Sequence, residues 1–248
     1  MTATPAITAF TRPRPRLIIF DFDGTLVETE IIASEVTAKK LAAQGIDAHP
    51  DEITVVLSGI KRDDLQPRLE SYFGVKLPSN LMEAVEMEIQ QAASKRLLVT
   101  PGAIELLEWL NIPFCVASNT SRFDLIRRMR ASNLLGLVGP RFFSSDDIGV
   151  RKPDPSVLLL AAEVMGVCPS ECLVIEDSVN GLNAARNANM RYCAFGGARH
   201  HSIQLRDILR TFEPEALLLN LEELKAFLYP QQEGWLGLEG LALCRAKR

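Results

Sequence analysis

Two aspartates stand two positions apart at the end of an apolar run near the start of the chain. Asp21 and Asp23 follow Leu17–Phe20, and Gly24 and Thr25 come directly after them. On an extended strand, residues two apart point to the same side. Two carboxylates held that close raise each other's pKa unless a cation lies near them. The spacing therefore predicts a cation site at the end of this strand.

Polar residues also follow the other apolar runs that read as strands. Ser118 and Asn119 follow the run Ile112–Ala117, and Glu176 and Asp177 follow Cys172–Ile175. Lys152 comes after the run Arg141–Phe143. In an open parallel sheet, ligands bind beyond the carboxyl ends of the strands, so we expect these side chains to meet the two aspartates at one edge. An oxygen-only ligand set without histidine indicates Mg²⁺ rather than zinc, and Mg²⁺ commonly shares its coordination shell with a substrate phosphate.

A phosphate at this edge would need hydrogen-bond donors and a positive charge. Ser118 and Asn119 offer donors at a strand-to-helix turn, where free backbone N–H groups also point outward. Lys152 supplies a point charge. Pro153 keeps Lys152 out of a helix, so this lysine is predicted to lie on a defined loop at the sheet edge.

Short apolar runs alternate with helical patterns along most of the chain, and these elements must position the polar residues. The predicted strands are Leu17–Phe20, Ile112–Ala117, Arg141–Phe143, Cys172–Ile175, Arg191–Phe195 and Ala216–Leu219. Alternation of this kind predicts an α/β fold with a Rossmann-like, doubly wound parallel sheet at its core.

Residues 28–98 break this alternation because they contain helical patterns only. A helical insert directly after the first strand predicts a small all-helical cap domain that covers what the strand presents. The predicted organisation is a flexible N-terminal extension (1–16), an α/β core (17–27 and 99–230), the cap (28–98) and a C-terminal extension (231–248).

The bulk composition argues against several classes of function. The chain has 248 residues and a net charge of −4, so no basic field favours nucleic acid. No apolar run approaches the ~20 residues that span a bilayer. Five cysteines, an odd number at irregular spacing, favour reduced thiols and a cytoplasmic location over a disulfide framework. We expect a small-molecule ligand, no nucleic-acid or membrane partner, and a monomer or homodimer.

Four motifs in this order resemble the haloacid dehalogenase-like hydrolases, specifically the phosphatases and phosphomutases with a helical cap after the first strand. They are "DFDGT" at 21–25, "ASN" at 117–119, "RKPDP" at 151–155 and "IEDSVNG" at 175–181. The likeness in order, spacing and strand context extends over residues 17–197. Within the family, the chain looks most like sugar-phosphate phosphatases that act on 6-phosphogluconate-type substrates.

The resemblance implies a role for each motif residue. Asp21 would be the nucleophile that forms an aspartyl-phosphate, and Asp23 would be the general acid and then the base. Mg²⁺ would be bound by Asp21, by the backbone carbonyl of Asp23, and by Glu176 and Asp177. Lys152 would neutralise charge near the nucleophile. The residues assigned to the phosphate are Gly24, Thr25, Ser118 and Asn119.

The cap would carry substrate specificity. "SGIKRDD" resembles the cap loop of the family, in which a glycine allows close approach and a basic residue meets the substrate; the candidates are Gly59, Lys61 and Arg62. The sugar phosphomutases usually carry a histidine that aligns with Ala33 of this chain. Its absence favours hydrolysis, and a β-phosphoglucomutase-like phosphomutase is the alternative.

Two further features have competing interpretations. His200 and His201 resemble a metal-binding pair, but the sequence supplies no third ligand, so an exposed loop is the favoured interpretation. Glu28 is either a substrate contact at the hinge into the cap or a solvated acid.

Overall fold

A sheet of parallel strands lies at the centre of the chain, which a computed structural model describes for residues 13–57, 64–95 and 97–230. The strands are β1 (Leu17–Phe20), β2 (Phe114–Ser118), β3 (Phe142–Ser144), β4 (Cys172–Glu176), β5 (Arg191–Phe195) and β6 (Leu217–Leu218). Their order across the sheet is β3-β2-β1-β4-β5-β6, and every neighbouring pair is parallel. The predicted doubly wound α/β fold is therefore confirmed.

Strand β1 is buried on both faces. Ile18 and Phe20 belong to one apolar cluster, whereas Leu17 and Ile19 belong to a second cluster on the opposite face. A central parallel strand covered by helices on both sides reads as a continuous apolar run rather than an alternating one. This two-sided burial explains why four consecutive apolar residues precede the paired aspartates.

The order in which strands are added to the sheet reverses between β1 and β4. It runs outward from β1 through β2 to β3, and then returns to the other side of β1 to form β4. The Asp21 backbone N–H continues the pairing of these two strands by donating to the Ile175 carbonyl at 2.9 Å. Ligands of doubly wound sheets bind at such a switch point, so the fold places Asp21 and Glu176 side by side where a ligand would enter.

Along the chain, four α-helices of the described residues follow β1 before the sheet resumes. They are α1 (Thr29–Ala42), α2 (Pro50–Leu57), α3 (Leu65–Phe73) and α4 (Leu81–Lys95). The two connecting segments pair with each other, since Glu28 N–H donates to the Leu98 carbonyl at 2.9 Å and Thr100 N–H donates to the Leu26 carbonyl at 3.0 Å. The chain therefore enters and leaves the helical insert at one place.

The remaining helices flank the sheet. They are α5 (Ala103–Trp109), α6 (Arg122–Ala131), α7 (Leu135–Val138), α8 (Ser156–Val164), α9 (Val179–Asn187), α10 (Ile203–Arg210) and α11 (Glu222–Leu228). Helix α4 of the insert packs against α6, so the insert contacts the core beside β2. Among the described residues, no helix is long and apolar enough to cross a membrane. The predicted boundaries between extensions, core and cap stay a prediction.

Candidate active site

Lys152 lies at the centre of a buried group of charges. Its Nζ donates to Asp21 Oδ1 at 2.7 Å, to Glu176 Oε2 at 2.7 Å and to the Ala117 carbonyl at 2.8 Å. These three acceptors match the three protons of an ammonium group. Burial disfavours its charge, but Asp21 and Glu176 outweigh that effect and raise the pKa of Lys152 above the ordinary lysine value. Lys152 is therefore a fixed positive charge beside Asp21.

The loop that carries Lys152 is fastened to the end of β2 by Asn119. The Lys152 backbone N–H donates to Asn119 Oδ1 at 2.7 Å, and Asn119 Nδ2 donates to the Lys152 carbonyl at 3.2 Å. Both ends of the side-chain amide are thus occupied by one residue. In this arrangement Asn119 positions Lys152, and contact between its side chain and a phosphate stays a prediction.

Three carboxylates gather at the switch point. Asp21, Glu176 and Asp177 each offer an oxygen, and these atoms lie within 4.8 Å of one another. Burial raises the pKa of Asp21 and of Asp177 well above the ordinary value, and Glu176 raises both further. With Lys152 as the ammonium that contacts two of the three acids, full ionisation leaves two negative charges. A buried double negative charge favours a divalent cation.

Glu176 is held by more hydrogen bonds than its neighbours. Its Oε1 accepts from the backbone N–H groups of Asp177 and Ser178 at 3.2 and 3.1 Å and from Ser178 Oγ at 2.9 Å. Gly181, in the first turn of α9, leaves the space that Glu176 fills, since a Cβ there would overlap the carboxylate. Both Glu176 oxygens are thus engaged, so it orients Lys152 and the turn that follows β4.

Asp23 faces a different set of partners from Asp21. Its Oδ1 forms an ion pair with Arg128 Nη1 at 2.5 Å, and its Oδ2 accepts from Thr120 Oγ1 at 2.6 Å. Ser118 Oγ lies 3.4 Å from the same Oδ2. The two aspartates are therefore separated chemically: one lies in the buried carboxylate–lysine group, and the other is held by donors at the β2–α6 turn.

The turn after the aspartates allows two elements to approach closely. Gly24 has a positive φ of 83°, and a Cβ at this position would overlap the Asp177 carboxylate. Only glycine fits that backbone conformation and that contact together. Thr25 is fully buried, and its hydroxyl has no hydrogen-bond partner among the described residues. Phosphate contacts by Gly24 and Thr25 stay a prediction.

Comparison with known proteins identifies the family. The model of the haloacid dehalogenase-like hydrolases matches residues 15–189 of this chain. The chain belongs to the haloacid dehalogenase-like hydrolases. The match confirms the resemblance drawn from the four motifs and makes the chain a hydrolase.

Relatives within the haloacid dehalogenase-like hydrolases include a curated enzyme and solved structures. The 6-phosphogluconate phosphatase of Escherichia coli is 30% identical over 200 residues, which cover 80% of this chain and 90% of that enzyme. A haloacid dehalogenase-like protein of unknown function from Agrobacterium tumefaciens is 30% identical with a TM-score of 0.81, and the match covers 87% of this chain and 98% of that one.

A third relative was crystallised with an anion. This Deinococcus radiodurans hydrolase, solved with bound phosphate and sodium, is 28% identical with a TM-score of 0.79. The match covers 88% of this chain and 97% of that one. Family membership and relatives named as phosphatases support the predicted enzyme class, the phosphoric monoester hydrolases.

His200 and His201 correct one expectation from the sequence. The favoured interpretation was an exposed loop, but the two side chains are only 9% and 0% exposed and their Nε2 atoms lie 3.5 and 3.7 Å from Asp177 Oδ2. Burial lowers the pKa of both histidines, and that of His201 falls to about 3. The loop after β5 folds back over Asp177, a contact that the local sequence does not encode.

Glu28 is also buried rather than solvated. It is 1% exposed, its Oε2 accepts from the Arg199 backbone N–H at 3.2 Å, and its Oε1 has no hydrogen-bond partner among the described residues. Glu28 therefore links the segment that enters the insert with the loop that follows β5. The cap loop lies outside the described residues. The substrate contacts predicted for Gly59, Lys61 and Arg62 therefore stay a prediction.

Sequence reasoning did not find Arg128, the ion-pair partner of Asp23. Helix α6 carries several arginines, and only the packing of the helix decides which one faces the site. Thr120 had a usable signal, because it lies in the same polar stretch as Ser118 and Asn119 at the end of β2. Gly181 lies inside the quoted fourth motif, but the need for a missing side chain there is visible only beside Glu176.

Proposed function

We propose that this chain is a Mg²⁺-dependent phosphatase that hydrolyses a small phosphorylated metabolite through an aspartyl-phosphate intermediate. The observation that carries the proposal is the division between the two aspartates. Asp21 contacts a buried ammonium at 2.7 Å, whereas Asp23 is held apart by Arg128 and Thr120. Carboxylates in contrasting environments are suited to different steps of one reaction.

In the first step, an Asp21 carboxylate oxygen attacks phosphorus and the bond from phosphorus to the ester oxygen breaks. The leaving oxygen takes a proton from Asp23, and the leaving group then departs as the free alcohol. Lys152, 2.7 Å from Asp21, favours the ionised form of the nucleophile and offsets charge that gathers around phosphorus. The proton donor and the nucleophile thus belong to one strand end.

In the second step, the deprotonated Asp23 takes a proton from water as that water attacks the phosphorus atom. The bond between phosphorus and Asp21 breaks, which releases phosphate and restores both carboxyl groups. Ser118 and Thr120 contact Asp23 Oδ2 and hold it at the mouth of the β2–α6 turn. Asp23 therefore gives one proton in the first step and takes another in the second.

The donor set fits Mg²⁺. Asp21 and Asp177 are buried carboxylates whose pKa values are raised by burial, and with Glu176 they form an oxygen-donor group at the switch point. The residues that would hold the ion are Asp21, Asp177 and the Asp23 carbonyl, with Glu176 as a further donor. When bound, Mg²⁺ supplies charge stabilisation for the phosphoryl oxygens.

The substrate proposed is a sugar phosphate or sugar-acid phosphate such as 6-phosphogluconate. A relative named 6-phosphogluconate phosphatase that aligns with 80% of the chain supports this class. Ala33, in place of the histidine usual in the sugar phosphomutases, supports hydrolysis over phosphoryl shuttling. The cap loop with Gly59, Lys61 and Arg62 is proposed to select the substrate.

A substrate panel tests this proposal. Phosphate release would be measured from 6-phosphogluconate, hexose phosphates, phosphoglycolate and nucleotides, with Mg²⁺ and with chelator. We expect release that requires Mg²⁺ and is fastest for the sugar-acid or sugar phosphates, and no turnover by Asp21→Asn. Formation of an isomerised sugar phosphate without free phosphate would identify a phosphomutase instead. Wild-type phosphate release by Asp21→Asn would overturn the mechanism.

A further inference from the structure

A second group of potential ligands shares Asp177 with the carboxylates around Asp21. His200 and His201 follow β5, and their Nε2 atoms lie 3.5 and 3.7 Å from Asp177 Oδ2. The two imidazole rings are neighbours, with centroids 4.2 Å apart. These distances to Asp177 exceed those of ordinary hydrogen bonds, so direct hydrogen bonding does not account for the convergence.

The imidazole nitrogens are unusually short of partners. His200 Nδ1 and both ring nitrogens of His201 are buried without a hydrogen bond to any described residue. Backbone groups of Asp177 and Gly196 lie beside the His201 ring, but without hydrogen-bond geometry. Buried polar groups are normally paired, since an unpaired one keeps its full desolvation penalty. A neutral imidazole has one lone pair, so a cation bound at Nε2 would take up the lone pair of His201 Nε2, and each Nδ1 would keep its proton.

We propose that His200, His201 and Asp177 bind a borderline divalent cation such as Zn²⁺ through two imidazole nitrogens and one carboxylate oxygen. Ligand atoms about 2.0–2.1 Å from a tetrahedral Zn²⁺ lie roughly 3.3 Å from each other. The observed separations of 3.5 and 3.7 Å are close to that value. Nitrogen donors separate this site from the oxygen-only group around Asp21, because imidazole suits zinc and not magnesium.

The surroundings favour a cation. The charges of Glu28 and Glu30 act on His200, and Glu30 also acts on Asp177. The cation that acts on His201 is Arg206, whose Nε donates to the Gly196 carbonyl at 2.8 Å. Acidic groups thus outnumber this arginine around the two rings.

Gly24 gives the site its close packing. A Cβ on Gly24 would overlap the Asp177 carboxylate and approach His200 Cε1 to 3.2 Å. The carboxylate and the imidazole therefore share the space left by one missing side chain. Because Asp177 belongs to both ligand groups, the proposed zinc site is contiguous with the group proposed for Mg²⁺.

Nuclear magnetic resonance of the wild-type protein tests the site directly. The chain contains three histidines, so long-range ¹H–¹⁵N spectra report every imidazole. With Zn²⁺ added in an excess of Mg²⁺, we expect ring nitrogen shifts at His200 and His201 and none at His49, which is exposed. Shifts at His49 alone, or at no histidine, would overturn the proposal. This readout does not depend on phosphatase activity.

Cobalt substitution checks the ligand type. Co²⁺ in a tetrahedral nitrogen and oxygen site absorbs visible light through d–d transitions without an intense thiolate charge-transfer band. The chain has five cysteines, so a charge-transfer band would place the metal on sulfur and contradict the assignment. A visible spectrum with neither feature, under conditions where Co²⁺ binds, would also contradict it.

Variants then assign the ligands. His200→Gln and His201→Gln should each weaken Zn²⁺ binding by at least ~100-fold, since even loss of an outer hydrogen-bond partner commonly costs 10–100-fold. His49→Gln is the matched control and should bind Zn²⁺ like wild type. Unchanged affinity in both test variants would overturn the proposal. Unfolding midpoints check that each variant folds, and the wild-type spectra decide the matter if one does not.

Discussion

At the scale of single residues, the site depends on how one ammonium is shared. Lys152 contacts Asp21 and Glu176 at equal distances of 2.7 Å, and Asn119 fixes the backbone of Lys152 from the turn after β2. A buried carboxylate without such a partner would take up a proton, and a protonated Asp21 is a poor nucleophile. In the proposed mechanism, Lys152 therefore favours the ionised form of Asp21.

Replacement of Lys152 by methionine should abolish most of the activity. Lys152→Met removes the charge that opposes burial of Asp21, so we expect kcat to fall by about 10³-fold, the cost typical of losing an electrostatic catalytic group. Steady-state phosphate release measures this effect. The control is Lys76→Met, because Lys76 is exposed on the insert and should tolerate the change. A Lys152→Met enzyme with near-normal kcat would refute the role.

Arg128 should affect turnover through Asp23. Without the ion pair, the Asp23 carboxylate loses the partner that holds one oxygen in place, and misplaced catalytic groups lose up to ~100-fold in rate. For Arg128→Met we expect lower kcat with little change in KM, and partial recovery in Arg128→Lys. Arg130→Met, an exposed change on the same helix, is the control. A rise in KM at normal kcat would point to substrate binding instead.

At the scale of elements, the sequence predicted each strand of the described sheet, and the differences lie in where the strands begin and end. The bounds of β1 and β5 agree with the prediction, whereas β2 begins at Phe114 rather than Ile112. Pro113 separates these two positions and has no N–H for the ladder. The sequence predicted helices in the insert, and the structure places α2 at Pro50–Leu57 within it.

Site residues adjacent to strand ends were predictable, but those brought in by packing were not. Asp21, Lys152 and Asp177 follow strands whose order is set by the fold, so their meeting could be expected from the sequence. Arg128 comes from the interior of a helix, and His201 from a polar loop whose burial depends on tertiary contacts. Local pattern contains no information about such contacts.

Gly181 tests the contact between β4 and α9. Alanine normally stabilises a helix relative to glycine, but a Cβ at Gly181 would overlap the Glu176 side chain. We expect Gly181→Ala to destabilise the chain by about 1–3 kcal/mol, as overpacking does. Gly136→Ala is the opposite case, because a Cβ there meets nothing within 4 Å.

Chemical denaturation would compare these two glycine variants with wild type. Gly136→Ala should leave the free energy of unfolding unchanged or raise it by up to ~1 kcal/mol. If Gly181→Ala proved as stable as Gly136→Ala, Glu176 would have room to move, and the tight packing inferred at the switch point would be wrong.

At the scale of the whole molecule, the buried acids link stability to pH. The pKa values of Asp21 and Asp177 are raised in the folded chain, so the folded state binds more protons than the unfolded state once pH exceeds ~4. The free energy of unfolding therefore falls as pH rises from the unfolded pKa to the raised folded pKa. A cation bound to the ionised acids would offset this loss.

Magnesium should stabilise the chain more at high pH than at low pH. At a Mg²⁺ concentration 100 times the Kd, the gain is about 2.7 kcal/mol, provided that the acids are ionised. Protons compete for the same oxygens, so the gain should shrink as pH falls toward 5. Thermal unfolding with Mg²⁺ and with chelator at several pH values measures this. A gain that does not vary with pH would exclude Asp21 and Asp177 as ligands.

The paired linkers of the helical insert also bear on how the chain folds. Strand β1 must pair with β2 across the whole insert, and closing a long loop slows the formation of such distant contacts. Glu28 and Thr100 lie on segments that hydrogen-bond to each other, so the folded insert brings its own two ends together. Once the four helices have assembled, the effective separation of β1 and β2 is short. We therefore expect early helix formation to accelerate closure of the central sheet.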